Sequence, residues 1–111
     1  MEVSFASRGL QRACSSAKES QKRWGERLAG KLQQRLMELK AADKLSDICQ
    51  VPPARCHELG GSRSGQLSVD LVHPYRLIFV PDHDPVPRKP DGGLDRTRVT
   101  QIVVLEVCDT H

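Results

Sequence analysis

The chain has 111 residues and a mass of 12.4 kDa, which fits one domain and leaves no room for a second independent core. Hydrophobic residues make up 38% of it and charged residues 28%, a balance typical of a globular protein rather than a disordered one. No apolar stretch approaches the roughly 20 residues of a membrane helix, and the start lacks the apolar core of a signal peptide, so we expect a cytoplasmic protein without membrane contact.

The net charge of +3 is unevenly distributed. Residues 1–45 contain ten Lys or Arg and five acidic residues, whereas residues 46–111 contain seven and nine. The basic excess of the first part favours a polyanionic or acidic partner. A solvated helix surface would explain the same charge without any partner, so charge alone does not decide between the two.

Four cysteines, Cys14, Cys49, Cys56 and Cys108, are scattered along the chain without a CxxC pair. This spacing gives little support to a zinc site or a redox motif, and free thiols are expected in a reducing compartment. Cys14 and Cys108 lie in apolar patterns and are predicted to be core residues. The aspartates between residues 81 and 98 do not have the spacing of a calcium loop, so no metal or other cofactor is predicted.

The first half of the chain has the pattern of a short strand followed by helices. Residues 3–5 alternate in the manner of a strand, and apolar residues then recur at helical spacing from Leu10 to Ala17 and from Trp24 to Leu39. We therefore predict two amphipathic helices over about residues 8–42, joined near residues 20–25. Their apolar stripes would cover one face of a sheet.

Strand patterns dominate the second half, because Pro52-Pro53 excludes continuation of a helix. We predict strands at about residues 55–60, 66–72, 75–80 and 100–108, with a Pro-rich loop at 81–98 between the last two. Each predicted strand is apolar or alternating, and the strand at 75–80 is apolar enough to be an inner strand. The whole pattern predicts a single α+β domain over residues 1–111, with an N-terminal strand and two helices on one face of a mostly antiparallel sheet.

Basic residues follow one another along the second predicted helix. Arg27, Lys31 and Arg35 occur at positions i, i+4 and i+8, a spacing that we interpret as one exposed stripe. Such a stripe is suited to phosphates of RNA, including ribosomal RNA, or to an acidic protein surface.

Three segments together resemble one family of bacterial proteins. Residues 55–61 (RCHELGG), 65–79 (GQLSVDLVHPYRLIF) and 106–111 (EVCDTH) are similar, in this order, to segments of the HigB branch of the RelE/ParE toxin superfamily, the plasmid maintenance system killer toxins. The sequence departs from that pattern at Gly60, where a lysine is common, at Thr110, where a tyrosine is common, and at Gln66-Leu67, where an aromatic residue is common.

The resemblance implies the toxin of a type II toxin-antitoxin system, a ribosome-dependent endoribonuclease that cuts mRNA and inhibits translation. Its implied partners are the ribosome, mRNA and a HigA-like helix-turn-helix antitoxin, with which it would form a hetero-oligomer. The implied catalytic residues are His57, Arg76, Asp109 and His111.

These residue types suit RNA cleavage without a metal. The reaction needs a base for the ribose 2′-hydroxyl, an acid for the leaving 5′-oxygen and a cation for the phosphorane. His57 and His111 could transfer protons, and Arg76 could hold two phosphate oxygens. Asp109 lies two residues before His111 and could orient it from the same side of a strand. A structural salt bridge with Asp70 is an alternative explanation for Arg76.

Two other functions are compatible with the sequence. A ParE-like protein would bind DNA gyrase and cleave nothing, although the terminal Asp-Thr-His and Arg76 favour the nuclease. A catalytically weakened binding module is the second alternative, and Gly60 and Thr110 are the substitutions that support it.

Overall fold

The structure is a computed structural model that describes residues 1–109, and it has an α+β fold. Within these residues, three short 3-10 helices accompany the main elements, at Pro52–Ala54, Gly61–Arg63 and Arg96–Arg98. The main elements in chain order are β1 (Glu2–Phe5), α1 (Arg8–Cys14), α2 (Ala17–Trp24), α3 (Glu26–Ala41), α4 (Leu45–Ile48), β2 (His57–Glu58), β3 (Leu67–Asp70), β4 (Tyr75–Pro81) and β5 (Gln101–Asp109). Across residues 1–109, no helix is long and apolar enough to cross a membrane.

The five strands form one mixed sheet in the order β1-β5-β4-β3-β2. β1 runs parallel to β5, and every other neighbouring pair is antiparallel, which confirms the predicted mostly antiparallel sheet. β4 lies in the middle of this order, and Leu77, Ile78 and Phe79 are all 0% exposed. The prediction of an inner strand covered on both faces is therefore confirmed.

The main core lies between α3 and one face of the sheet. The leucines of α3 and alternate residues of β3, β4 and β5 belong to one buried cluster, which includes Leu32, Leu36, Leu39, Leu67, Val69, Leu77, Phe79, Ile102 and Val104. Fully burying a side chain of this size contributes about 1.5–3 kcal/mol, so this face supplies most of the hydrophobic stabilisation. The sheet face that carries Ser68 and Arg76 points away from the helices.

The N-terminal helices differ from the prediction of two helices joined near residues 20–25. The Ser16 hydroxyl accepts a hydrogen bond from the Glu19 amide at 3.2 Å and so begins a new helix, separating α1 from α2. Gly25, with φ +83°, then separates α2 from α3 in a conformation that disfavours other residues. The Ser16 cap and the positive φ of Gly25 each interrupt the helix, while the apolar residues keep their helical spacing. The spacing therefore does not reveal these interruptions.

The predicted strand at 55–60 is also wrong in its extent, since only His57–Glu58 is paired. Arg55 ends the preceding 3-10 helix in the left-handed conformation, with φ 48°, and Gly61, with φ +61°, leads into the next. The other four strands differ from their predicted bounds by one or two residues at an end. In the 81–98 loop, a hydrogen bond from the Gly92 amide to the Lys89 carbonyl at 2.9 Å closes a turn.

The prediction of one exposed basic stripe is wrong for Arg35, because only 3% of this residue is exposed. Its Nε donates to the Asp70 carbonyl at 2.7 Å, Nη2 to the Pro53 carbonyl at 2.8 Å and Nη1 to the Glu38 carboxylate at 2.8 Å. At 3.6 residues per turn, position i+8 is rotated by about 80° from position i, enough to move a side chain from the surface of a helix to its buried side. Arg27 is exposed and Lys31 is half-buried.

We expect Arg35→Met to lower the free energy of unfolding by about 2–4 kcal/mol, because it leaves two carbonyls and a carboxylate without their buried donor. Arg27→Met, the same substitution on the exposed side of α3, is the matched control and should change stability by no more than about 0.5 kcal/mol. Urea unfolding followed by circular dichroism measures both. Equal stability of the two variants would show that the Arg35 contacts do not support the fold.

Candidate functional site

Four charged or polar side chains meet on the sheet face that points away from the helices. His57 of β2 is paired with Ser68 of β3, and Asp70 is paired with Arg76 of β4, and directly opposed residues share a face. Arg76 Nη1 lies 3.1 Å from His57 Nε2, and Arg76 Nε lies 3.3 Å from Asp70 Oδ1. Two of the four predicted catalytic residues, His57 and Arg76, are therefore in direct contact.

The partners of His57 define its proton arrangement. Its Nδ1 lies 3.1 Å from the carbonyl oxygen of Arg55, which can only accept, so Nδ1 carries the proton. Its Nε2 faces the Arg76 guanidinium, which can only donate, and the Ser68 hydroxyl at 3.5 Å. In this arrangement the lone pair of Nε2 lies beside a fixed positive charge.

Asp70 holds the two arginines of the site. Arg55 Nε lies 3.5 Å from Asp70 Oδ2, and the Arg55 side chain is 74% exposed, against 18% for Arg76. The salt bridge between Arg76 and Asp70, the alternative explanation for Arg76, is therefore present together with the contact between Arg76 and His57. Within residues 1–109, neither Arg76 Nε nor Asp70 Oδ1 has a well-aligned hydrogen bond, so their attraction is electrostatic. Two guanidinium groups around one carboxylate leave one net positive charge, which suits an anion.

A cavity of about 240 Å³ opens beside these charges. It is lined by Arg55, Asp70 and Arg76, and also by His73 and Tyr75 at the turn between β3 and β4. Its size and its guanidinium groups suit a phosphate group. Arg55 was not predicted as a site residue, since nothing in the local pattern around Pro52-Pro53 shows that the chain returns to the end of β3.

A second cavity of about 460 Å³ adjoins the first and shares His73 and Tyr75 with it. Its other wall includes Arg23, Trp24 and Arg27 at the junction of α2 and α3, and the Arg23 guanidinium lies 5.0 Å from the centre of the Trp24 ring. Tyr75 is 42% exposed. Proteins bind single-stranded nucleic acids through cationic groups that contact the phosphates and through accessible aromatic rings on which the bases stack, and this surface offers both.

Asp109, the described member of the predicted C-terminal pair, does not lie at the His57–Arg76 contact. Asp109 is paired with Tyr75, whereas Arg76 is paired with Cys108, and successive strand residues point to opposite faces. Asp109 is therefore on the face opposite Arg76, although both lie at the same end of the sheet. His111 and Thr110 lie outside the described residues.

Within residues 1–109, no group of three or more His, Cys, Asp and Glu side chains is placed to hold a metal ion. No protein-family model matches the chain, and no curated protein matches it.

We expect Asp70→Asn to strengthen binding of uridine 3′-phosphate by about two- to fivefold. The Asp70 carboxylate competes with the ligand for both guanidinium groups, and partly exposed ion pairs of this kind contribute about 0.5–1 kcal/mol. Arg76→Gln should weaken binding. Nuclear magnetic resonance titration measures both affinities, and Asp91→Asn, in the exposed loop, is the control for the loss of a carboxylate. Equal affinities in all four proteins would contradict a phosphate site at Arg76.

Proposed function

We propose that this chain is a metal-independent endoribonuclease of the HigB kind, the toxin of a type II toxin-antitoxin system, which cuts mRNA on the ribosome and inhibits translation. The observation that carries the proposal is the 3.1 Å contact between Arg76 Nη1 and the basic Nε2 of His57. It puts a proton acceptor beside a permanent cation, and cleavage of a phosphodiester by its own 2′-hydroxyl requires both. The resemblance of residues 55–61, 65–79 and 106–111 to this family supports the same function.

The reaction follows from the roles that these groups can take. A phosphate of the RNA binds between Arg76 and Arg55, and its arrival replaces the contact between Arg76 and His57. His57 Nε2 accepts the proton of the 2′-hydroxyl, whose oxygen attacks phosphorus, and Arg76 stabilises the charge of the phosphorane. The 5′-oxygen leaves with a proton from an acid, for which His111 is the expected group. The products are a 2′,3′-cyclic phosphate and a 5′-hydroxyl.

The surface around the second cavity would bind the rest of the RNA strand. Tyr75 offers a ring for stacking of one base, and Arg27 and Lys31 supply charges for the following phosphates. The same surface could be covered by acidic side chains of a HigA-like antitoxin, which would block the RNA path. In this proposal the protein acts in the cytoplasm, where ribosomes carry its substrate.

We expect His57→Ala and Arg76→Ala each to reduce cleavage of ribosome-bound mRNA by about 10²- to 10⁴-fold, because each removes a proton-transfer or charge-stabilising group. His111→Ala should have a similar effect, because it removes the acid that protonates the leaving 5′-oxygen. Arg88→Ala, in the exposed 81–98 loop, is the control and should cleave at the parent rate. Primer extension on translated mRNA measures the cuts, which should persist in a chelator at concentrations that ribosomes tolerate.

The same assays separate the alternatives. Growth arrest with intact mRNA and blocked DNA supercoiling would instead indicate the gyrase inhibitor. Absence of growth arrest, together with binding to ribosomes or to an antitoxin, would indicate the weakened binding module. Cleavage at the parent rate by both His57→Ala and Arg76→Ala would refute the proposed catalytic centre.

We expect the double variant Arg27→Gln/Lys31→Gln to bind ribosomes more weakly and with a shallower dependence on salt. Each lost phosphate contact should reduce the slope of log affinity against log salt by about 0.7–0.9. The control is Arg88→Gln/Lys89→Gln, which removes the same charge from the 81–98 loop. Cosedimentation with ribosomes at several salt concentrations measures the slopes, and identical slopes in the two double variants would assign Arg27 and Lys31 to solubility alone.

A further inference from the structure

Two cysteines that are separated along the chain meet at the end of α4. Cys49 directly follows α4, Cys56 directly precedes β2, and the chain between them reverses through the 3-10 helix Pro52–Ala54. Their thiol groups lie in hydrogen-bonding contact with each other. Both residues are half-buried, and neither is in a disulfide. The structure thus supplies a pair of thiols that the CxxC pattern does not reveal.

A cation contacts one of the two sulfur atoms. Arg96 Nη1 lies 2.8 Å from Cys49 Sγ, and Arg96 Nη2 lies 3.6 Å from Glu58 Oε2. A guanidinium so close to sulfur favours the thiolate, the form of cysteine that attacks electrophiles. Glu58 holds Arg96 on its other side, so the cation is fixed between a carboxylate and the sulfur.

The two thiols differ in acidity as a consequence. The hydrogen bond from Cys56, followed by the contact with Arg96, lowers the pKa of Cys49 against the opposing effects of burial and of Glu58. The hydrogen bond to Cys49, followed by burial, raises the pKa of Cys56. In this pair the thiolate form is favoured at Cys49, and Cys56 is the thiol that is hydrogen-bonded to it.

Cys14 and Cys108 provide a comparison within the same chain. Burial raises the pKa of Cys14 to about 11, and burial together with Glu106 raises the pKa of Cys108 to about 11. Both are protonated near neutral pH and are poor nucleophiles. Among the four cysteines, only Cys49 has a lowered pKa.

We propose that Cys49 and Cys56 form a redox site that reduces hydroperoxides, in which Cys49 is the attacking residue and Cys56 resolves the product into an intramolecular disulfide. The proposal rests on the thiol contact and on Arg96, and it does not depend on the nuclease function.

The chemistry is balanced in two steps. The Cys49 thiolate attacks the terminal oxygen of hydrogen peroxide, the O–O bond breaks, and the leaving hydroxide takes a proton from solvent to become water, leaving Cys49 as a sulfenic acid. The Cys56 sulfur then attacks Cys49 Sγ, the S–O bond breaks, and the leaving hydroxide combines with the proton of Cys56. In total, two thiols and one peroxide give one disulfide and two waters.

The first test uses the intact reduced chain and one equivalent of hydrogen peroxide at pH 7. We expect a product lighter by two hydrogen atoms, with Cys49 linked to Cys56 in peptide maps, and full reversal by dithiothreitol. Cys49 should react at least about tenfold faster than Cys108, since its much larger thiolate fraction outweighs the lower nucleophilicity of a more acidic thiol. Oxidation distributed evenly over the four cysteines, or a product without the 49–56 link, would overturn the proposal.

Variants assign the two roles. Cys56→Ser should stop at a sulfenic acid on Cys49 that dimedone traps, Cys49→Ser should form neither product, and Cys108→Ser, the matched control, should react as the parent does. Trapping of a sulfenic acid on Cys56 in the Cys49→Ser chain, at the parent rate, would contradict the assignment.

The contribution of Arg96 is tested by the pH dependence of alkylation at Cys49, whose charged or titratable neighbours are Cys56, Arg96 and Glu58. Iodoacetamide should modify the parent with a midpoint below the usual thiol value of about 8.5. Arg96→Gln should raise the midpoint by about one pH unit, and Arg96→Lys should restore most of the shift because it retains the charge. A parent midpoint at or above the usual value would refute an activated Cys49.

Discussion

The buried guanidinium of Arg35 is the interaction on which the rest of the structure depends. It reaches from α3 to the Asp70 carbonyl at the end of β3 and to the Pro53 carbonyl in the 3-10 helix that precedes β2, and Glu38 balances its charge. A guanidinium has five donors and no acceptor, so it can hold several carbonyls at once where an apolar side chain would leave them unpaired. Helix, strand and loop are thereby joined to one another through a single side chain.

The candidate site is built directly on these contacts. The backbone of Asp70 is held by Arg35, and its carboxylate holds Arg55 and Arg76 on the other side of the strand. The loop that contains Pro53 ends at Arg55, whose carbonyl accepts the Nδ1 proton of His57. The orientation of the imidazole therefore depends on the conformation of this loop, which Arg35 of α3 holds through the Pro53 carbonyl. In this way a strand of only two residues can present a defined proton acceptor.

β2 connects two different chemical environments. Its two residues alternate, so His57 opposes Ser68 on the face of the candidate nuclease site, while Glu58 opposes Leu67 and holds Arg96 beside Cys49. Cys56, which precedes the strand, contacts Cys49 on that second side. A change in the covalent state of the two thiols would act on the residue next to His57, so the two proposals, although independent, involve adjoining parts of the same segment.

The sequence by itself determined the α+β class, the inner strand at residues 75–80 and the apolar faces of α3 and β3, because alternation and helical periodicity are local properties of the chain. It also indicated His57 and Arg76, through their residue types and a family resemblance. Only the tertiary structure decided that Arg35 is buried while Arg27 is exposed, that Arg55 reaches Asp70 and that Cys49 meets Cys56. Each of these depends on how a helix is rotated against the sheet or where a proline-containing loop returns, and such placements arise from contacts between residues far apart in the chain, which local periodicity does not encode.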